Sequence, residues 1–286
     1  MQPALLIKSN VGNWELGATL HRRDGVAVYE AGPRGSLNVR AKYVVKMLDE
    51  GAATPDRLAR FVAEAGAGRT VCSMHVVPVL AVHCRRAPYY FAMPRLVGKT
   101  VAEELAGRRR FSIAMALHVA RQAASGLAAM HQAGLMHADV RPSNIFVGRD
   151  GHATLIDLEH ARPTGADADP LPRCVPGTVE YLAPEAACSR HRVDGRSDLY
   201  SLGVVLFEML VGRLPFEGAT VEELVAAHNS MEPPRLREID SSLPADICEF
   251  VRRLLHKQPL RRPQSAAEVV DELARFEIAY LELRAA

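Results

Sequence analysis

The run His137-Ala138-Asp139-Val140-Arg141-Pro142-Ser143-Asn144 places a carboxylate and an amide close together, and Asp157 follows across a predicted hairpin. Two carboxylates and one amide then converge on one edge. Hard oxygen donors of this kind hold a magnesium ion, and a carboxylate beside them orients a hydroxyl nucleophile, which is what phosphoryl transfer requires. Taken alone, the same Asp and Asn residues are equally ordinary loop formers.

The elements around these residues change character along the chain. Up to about residue 92 the pattern is strand-like. Trp14–Leu20, Val26–Ala31, Val39–Leu48, Val76–Cys84 and Tyr89–Met93 are short apolar or alternating runs between Gly, Pro and charged turns. One helix interrupts them, capped by Thr54 with Pro55 at its first position. Leu58, Phe61, Val62 and Ala65 share its apolar face, and Gly66 and Gly68 are expected to end or weaken it. Beyond residue 98 the pattern is helical. Thr100 and Glu103 form a capping box, and a long helix runs from the Ser112 cap to Gly134. Further helices are expected over Ser197–Val211, Thr220–Asn229, Ala245–Leu255 and Ser265–Leu283. Strands Ile145–Val147 and Ala153–Ile156 flank the turn Arg149-Asp150-Gly151 and make the hairpin.

Composition narrows the classes. The 286 residues carry 35 Lys+Arg against 33 Asp+Glu, a net +2, which gives no reason to expect nucleic acid as a partner. At 48% hydrophobic and 24% charged the chain is ordinary globular protein. No membrane segment is expected, because the apolar run at Val204–Phe207 stops at Glu208, and MQPALLIKSN reads as no signal peptide. Five scattered cysteines without a C-x-x-C pair argue against a disulfide framework and for a cytoplasmic location. Among 11 histidines no H-E-x-x-H or Cys/His cluster suggests zinc.

Several further motifs accompany the first. Val44-Val45-Lys46, then Glu64, Asp157-Leu158-Glu159, the run Gly177-Thr178-Val179-Glu180-Tyr181-Leu182-Ala183-Pro184-Glu185, Asp198-Leu199-Tyr200-Ser201-Leu202-Gly203 and Arg261-Arg262-Pro263 follow in order. Together they resemble the eukaryotic-type (bacterial Hanks-type) serine/threonine protein kinase family over nearly the whole chain. The resemblance implies an α+β, bilobal fold with a small β-rich lobe, residues 1–94, and a larger α-helical lobe, residues 95–286. It implies ATP and Mg²⁺ as cofactors and a protein substrate with a Ser or Thr acceptor. Lys46, oriented by Glu64, is expected on the phosphates, Asn144 and Asp157 on the metal, and Asp139 on the substrate hydroxyl. Arg141 stands for the usual catalytic-loop lysine, a forked donor in place of a point charge. Thr178 and Pro142 fit the serine/threonine branch. Adenine is expected at Met93, the Pro94 carbonyl and the Leu96 backbone, with Val28 and Arg23 in contact with the nucleotide. Glu185 is expected to pair with Arg262.

Three departures matter. His21, Arg23 and Val26 occupy the three positions of the phosphate-loop glycines, which removes close backbone approach to phosphate. Arg22 or Arg23 compensates by charge, or both point into solvent. Ala138 replaces the arginine that receives an activation-segment phosphate, a non-RD arrangement, and Thr164 is the only hydroxyl between Asp157 and Gly177. The segment is therefore expected not to be switched by phosphorylation. Glu159 replaces the glycine after Leu158. Asp167, Asp169 and the cluster Arg108-Arg109-Arg110 read as solvated faces. Two functions remain open: an active kinase, or a pseudokinase that binds nucleotide or scaffolds.

Overall fold

Period-two alternation and the Asp24-Gly25 turn fold the early part of the chain into a sheet. The structure, a computed structural model, describes residues 9–35, 42–108, 110–164, 179–187 and 193–285. Among the residues singled out above, Arg109, Asp167, Asp169, Gly177 and Thr178 lie outside those ranges, as does Val39. The chain divides into two units, Met1–Val97 with Asp157–Glu159, and Gly98–Ile156 with His160–Ala286.

The first unit is an antiparallel sheet with one helix. Its strands are β1 (Ser9–Val11), β2 (Trp14–Arg23), β3 (Val26–Pro33) and β4 (Tyr43–Leu48); after α1 (Pro55–Thr70) come β5 (Ala81–His83) and β6 (Tyr89–Pro94). The sheet order is β1-β2-β3-β4-β6-β5. Side chains alternate across β6. Tyr90 and Ala92 pack with Val11, Leu16, Ala31 and Val45 on one face, and Phe91 packs with Leu48, Phe61, Ala65 and Val79 on the other. The central strands are covered on both faces, so a polar side chain on them must find a partner.

Thr54 caps α1 as expected, its Oγ1 accepting the Arg57 N–H, with Pro55 at the first position. Two expectations fail here. The helix does not stop at Gly66 or Gly68 but runs to Thr70. A Cβ at Gly68 would lie 2.6 Å from Val79 Cγ2, so glycine is there to let the helix approach the following segment. Val62, assigned to the apolar face, is 44% exposed, while Glu64 is buried. The strand expected over Val76–Cys84 contracts to β5. Pro78 has no N–H to give a ladder, and the Val79 N–H is spent on the Gly68 carbonyl at 2.9 Å.

The second unit is mainly helical. It runs β7 (Gly98–Thr100), α2 (Val101–Arg108), α3 (Ile113–Gln132), β8 (Leu135–Met136), β9 (Ile145–Gly148), β10 (Ala153–Leu155) and β11 (Arg162–Pro163). Helices α4 (Pro184–Ala187), α5 (Gly195–Val211), α6 (Val221–Ser230), α7 (Leu236–Ile239), α8 (Ala245–Leu254) and α9 (Ala266–Ala285) follow. The capping box is present: Glu103 accepts the Thr100 N–H at 2.8 Å, and Thr100 Oγ1 accepts the Glu103 N–H at 3.2 Å. Ser112 and Thr220 cap α3 and α6. Helix α5 is buried over most of its length, with Leu199, Leu202, Val204 and Leu206 fully buried, which marks the central helix of the core. No helix among the described residues is long and apolar enough to cross a membrane.

Candidate active site

In the first unit, Lys46 sits on β4, in register with Val28 on β3 and Phe91 on β6. Its ammonium emerges in a largely buried place and donates to both Glu64 oxygens at 2.7 and 2.8 Å, and to Asp157 Oδ1 at 3.2 Å. Burial alone would lower the Lys46 pKa. The Glu64 and Asp157 carboxylates outweigh it, and the group is held above its ordinary value as a permanent cation. Burial is also the largest influence on Glu64 and raises its carboxyl, with the Lys46 ammonium opposing. Asp157 adopts φ +58, a left-handed conformation that a non-glycine residue keeps only when its surroundings hold it. Met93 and Pro94 end β6, opposite Val44 and Tyr43, and Arg95 beyond them pairs with Glu30 at 2.7 Å. The two loop arginines are engaged locally. Arg22 donates to Tyr29 Oη at 2.8 Å, and Arg23 pairs with its neighbour Asp24 at 3.2 Å, with both side chains more than 70% exposed.

In the second unit, the run 137–144 is anchored from beneath by Asp198 on α5. Asp198 accepts the backbone N–H groups of His137 (2.9 Å) and Ala138 (2.8 Å), and His131 Nε2 lies 2.8 Å from it. Burial pushes the Asp198 carboxyl up, but the bond to His131 and the charges around it win, and its pKa is lowered. Ala138 takes φ +62, so the two N–H groups can turn toward one carboxylate. His137 Nδ1 accepts the Asp139 N–H at 3.3 Å and Nε2 faces the Ile156 carbonyl at 3.3 Å, a pattern that a neutral ring with its proton on Nε2 satisfies. Asn144 Nδ2 donates to Asp139 Oδ2 at 2.7 Å and to its carbonyl at 2.9 Å. Arg141 Nε lies 3.7 Å from the same Oδ2. Asp139 Oδ1 is buried and has no hydrogen-bond partner among the described residues. A buried carboxylate oxygen left without a donor is costly in a purely structural loop and is what a proton acceptor needs.

The expected Glu185 and Arg262 pair is present. It is bidentate at 2.6 and 2.8 Å, with the Arg262 side chain 0% exposed. Arg108 and Arg110 are solvent-exposed as expected, and they pair with Glu104 and Asp240, each at 2.7 Å. Sequence reasoning missed one feature. A cavity of about 390 Å³ is lined by Pro142, Tyr181, Glu208 and Ala residues of α2. Tyr181 Oη donates to Glu208 Oε2 at 2.7 Å, and Glu180 Oε2 nearby is buried without a partner among the described residues. Burial and the Glu180 charge raise Glu208. No motif marks Glu208; only its position on α5, facing the turn Val179–Tyr181, places it there.

Among the described residues no three His, Cys, Asp or Glu side chains form a metal-binding group.

The first unit thus carries a strand lysine paired with a helix glutamate, and the second an aspartate braced by an asparagine. The protein kinase domain family matches residues 34–273, and the chain belongs to that family. Bacterial proteins are among its relatives. The chain is 26% identical over 276 residues to a probable serine/threonine-protein kinase pknA2 of Bifidobacterium longum, covering 96% of this chain and 36% of that protein. It is 31% identical over 268 residues to a probable serine/threonine-protein kinase of Streptomyces coelicolor (90% and 39%). It is 40% identical over 167 residues to the serine/threonine-protein kinase pkn2 of Myxococcus xanthus (56% and 20%). The chain thus spans between a fifth and two fifths of the length of these relatives.

Proposed function

We propose that this chain is an ATP- and Mg²⁺-dependent serine/threonine protein kinase, with residues 1–94 and 95–286 as its lobes. One observation carries the reading: Lys46 is bonded to both oxygens of Glu64 and reaches Asp157 at 3.2 Å. A sheet lysine held charged between two carboxylates is costly to bury. It has a use when phosphate oxygens arrive to share it.

The roles are those the family resemblance implies, and the bonds of Lys46 and Asp139 support them. Lys46 holds the nucleotide phosphates and Glu64 fixes its direction. Asp157 and the Asn144 amide oxygen are the metal ligands, and the ion supplies neutralisation of phosphate charge when bound. Asp139 Oδ1, the oxygen without a donor, accepts the proton of the substrate hydroxyl, while Asn144 and Arg141 hold Oδ2. Thr178 is assigned to the substrate side, as is the cavity beside Pro142. Met93, the Pro94 carbonyl and the Leu96 backbone take adenine, and Val28 and Arg23 contact the nucleotide. The three described cysteines, Cys72, Cys84 and Cys248, are free, which supports a reducing cytoplasm. Thr164 Oγ1 donates to the Gly134 carbonyl at 3.3 Å, which supports a segment not switched by a phosphate there.

A second reading, a nucleotide-binding module with little turnover, draws on the loop between β2 and β3, whose arginines are spent on Tyr29 and Asp24. Transfer of labelled γ-phosphate to a generic basic protein decides between the two when run beside Asp139→Asn. Transfer lost in the variant supports the kinase. An inert wild type whose melting temperature rises with nucleotide supports the module.

A further inference from the structure

The turn joining β2 and β3 is a two-residue hairpin turn, Asp24-Gly25. Arg23 pairs with Val26, and both turn residues have positive φ, +50 and +75. Its tip is bonded down. Arg57 Nη1 donates to the Asp24 carbonyl at 2.7 Å, and the Asp49 N–H donates to the Gly25 carbonyl at 2.8 Å. The fit is close, since a Cβ at Gly25 would lie 2.2 Å from Ala52 Cβ and 3.4 Å from Arg57 Nη1. Glycine is needed at residue 25 for this contact as well as for the turn.

Arg57 lies in the first turn of α1, where its own N–H is held by Thr54. Seven residues on, two helical turns and about 10 Å along the same face, α1 carries Glu64. Glu64 grips Lys46 on β4, and Lys46 is in register with Val28 on β3, two residues beyond Val26 at the hairpin. The helix therefore holds the sheet at two points of one face, and the contacts close a ring: Arg57, Asp24, strand β3, Lys46, Glu64 and back along α1.

We propose that Arg57 is a positioning residue that locks the β2–β3 hairpin to the helix bearing Glu64. Hairpin and helix then move as one body, and nucleotide binding senses both together. The proposal rests on the nucleotide-binding reading above. It supplies what the missing glycines withhold: a loop without close backbone approach to phosphate is useful only if it is held in place beforehand, which lowers the ordering cost of binding.

The test uses the whole chain in three forms, wild type, Arg57→Ala and Arg57→Lys, with Gly25→Ala as a second way to open the same contact. Amide hydrogen exchange over residues 22–27 is measured without nucleotide, and Mg-ATP affinity by titration. Arg57 is exposed, so its variants should fold. Loss of one ordinary hydrogen bond predicts roughly five-fold weaker Mg-ATP binding and faster exchange at the hairpin in Arg57→Ala. The lysine variant, which can still reach a carbonyl, should recover most of both, and Gly25→Ala should match Arg57→Ala. Unchanged exchange in Arg57→Ala overturns the lock. Faster exchange with unchanged affinity overturns the positioning role. A wild type that binds no nucleotide refutes the functional reading, while the exchange comparison still decides whether the lock exists.

Discussion

Arg262→Ala tests the core of the helical unit. The guanidinium is fully buried and spends all its donors: Nη1 and Nη2 on the two Glu185 oxygens at 2.6 and 2.8 Å, Nε on the His256 carbonyl at 2.7 Å, and the remaining N–H groups on the Arg196 and Lys257 carbonyls, both at 3.0 Å. Its plane also lies 4.8 Å from the Tyr200 ring. Among the described residues, truncation leaves Glu185 with only the Ser197 hydroxyl, at 2.6 Å, as a side-chain donor. Removing one partner of a buried pair costs about 3–5 kcal/mol. The part-buried His256 and Lys257 carbonyls also lose their donor, which pushes the value toward the upper end, since an unsatisfied acceptor costs about 1–3 kcal/mol unless water enters the space. For a domain of this size each kcal/mol lowers the melting temperature by about 2–4 °C, so a fall of roughly 8–20 °C is expected by circular dichroism. Arg110→Ala, whose pair with Asp240 is largely exposed, should shift it far less. Replacing both Glu185 and Arg262 by Met should not restore the wild-type value, because the carbonyls stay unsatisfied. A melting temperature for Arg262→Ala within the Arg110→Ala range would refute the reasoning.

Asp139→Asn and Asp157→Asn should each abolish phosphoryl transfer and leave the melting temperature nearly unchanged; turnover equal to wild type in either rejects its role. His228 is buried against Tyr200 Oη at 2.9 Å; burial first, then the Lys257 charge, lower its pKa from 6.5 to about 4. The folded state thus resists charging it, stability is full above about pH 7, and about 3 kcal/mol is lost as pH falls from 6.5 to about 4. Urea melts across that range should show the loss in wild type and a flatter profile in His228→Gln; parallel profiles would contradict it. Phosphatase treatment and Thr164→Ala should both leave activity within about two-fold, a span of under 0.5 kcal/mol; a large fall in either would show that the segment is switched by phosphate.

The fold was legible wherever a local interaction decides it. Thr54, Ser112, Thr100 and Thr220 cap helices because a short side-chain oxygen can reach the first orphan N–H groups, and that chemistry is visible in four residues. The β9–β10 hairpin, with Ile145 opposite Leu155, was legible for the same reason. What failed was set by distant partners. Gly66 and Gly68 look like helix ends until Val79 arrives against Gly68. Pro78 and the Val79 bond to α1 shorten a strand that its apolar run alone would extend. The conformations of Ala138 and Asp157 have no trace in their residue types, since nothing about alanine favours φ +62; Asp198 imposes it by drawing in two adjacent N–H groups.

The site was legible as a set of motifs but not as a set of bonds. Asp139 and Asn144 could be named from spacing and Lys46 and Glu64 from the family resemblance, yet the periodicity of α1 put Val62 on its buried side, where the helix instead presents Glu64. The inversion has a physical cause. Once Lys46 is fixed on a strand covered on both faces, its charge needs a carboxylate at hydrogen-bond distance, and that demand outweighs the burial of one valine, worth about 1.5–3 kcal/mol. The same rotation of α1 that brings Glu64 to Lys46 turns Arg57, two turns earlier, toward the hairpin. An arginine reaching a main-chain carbonyl leaves no motif, because any residue at position 24 offers the same oxygen. The helix is thus set by its polar contacts, and its apolar face fills what remains. Sequence periodicity reads the second of these and is blind to the first.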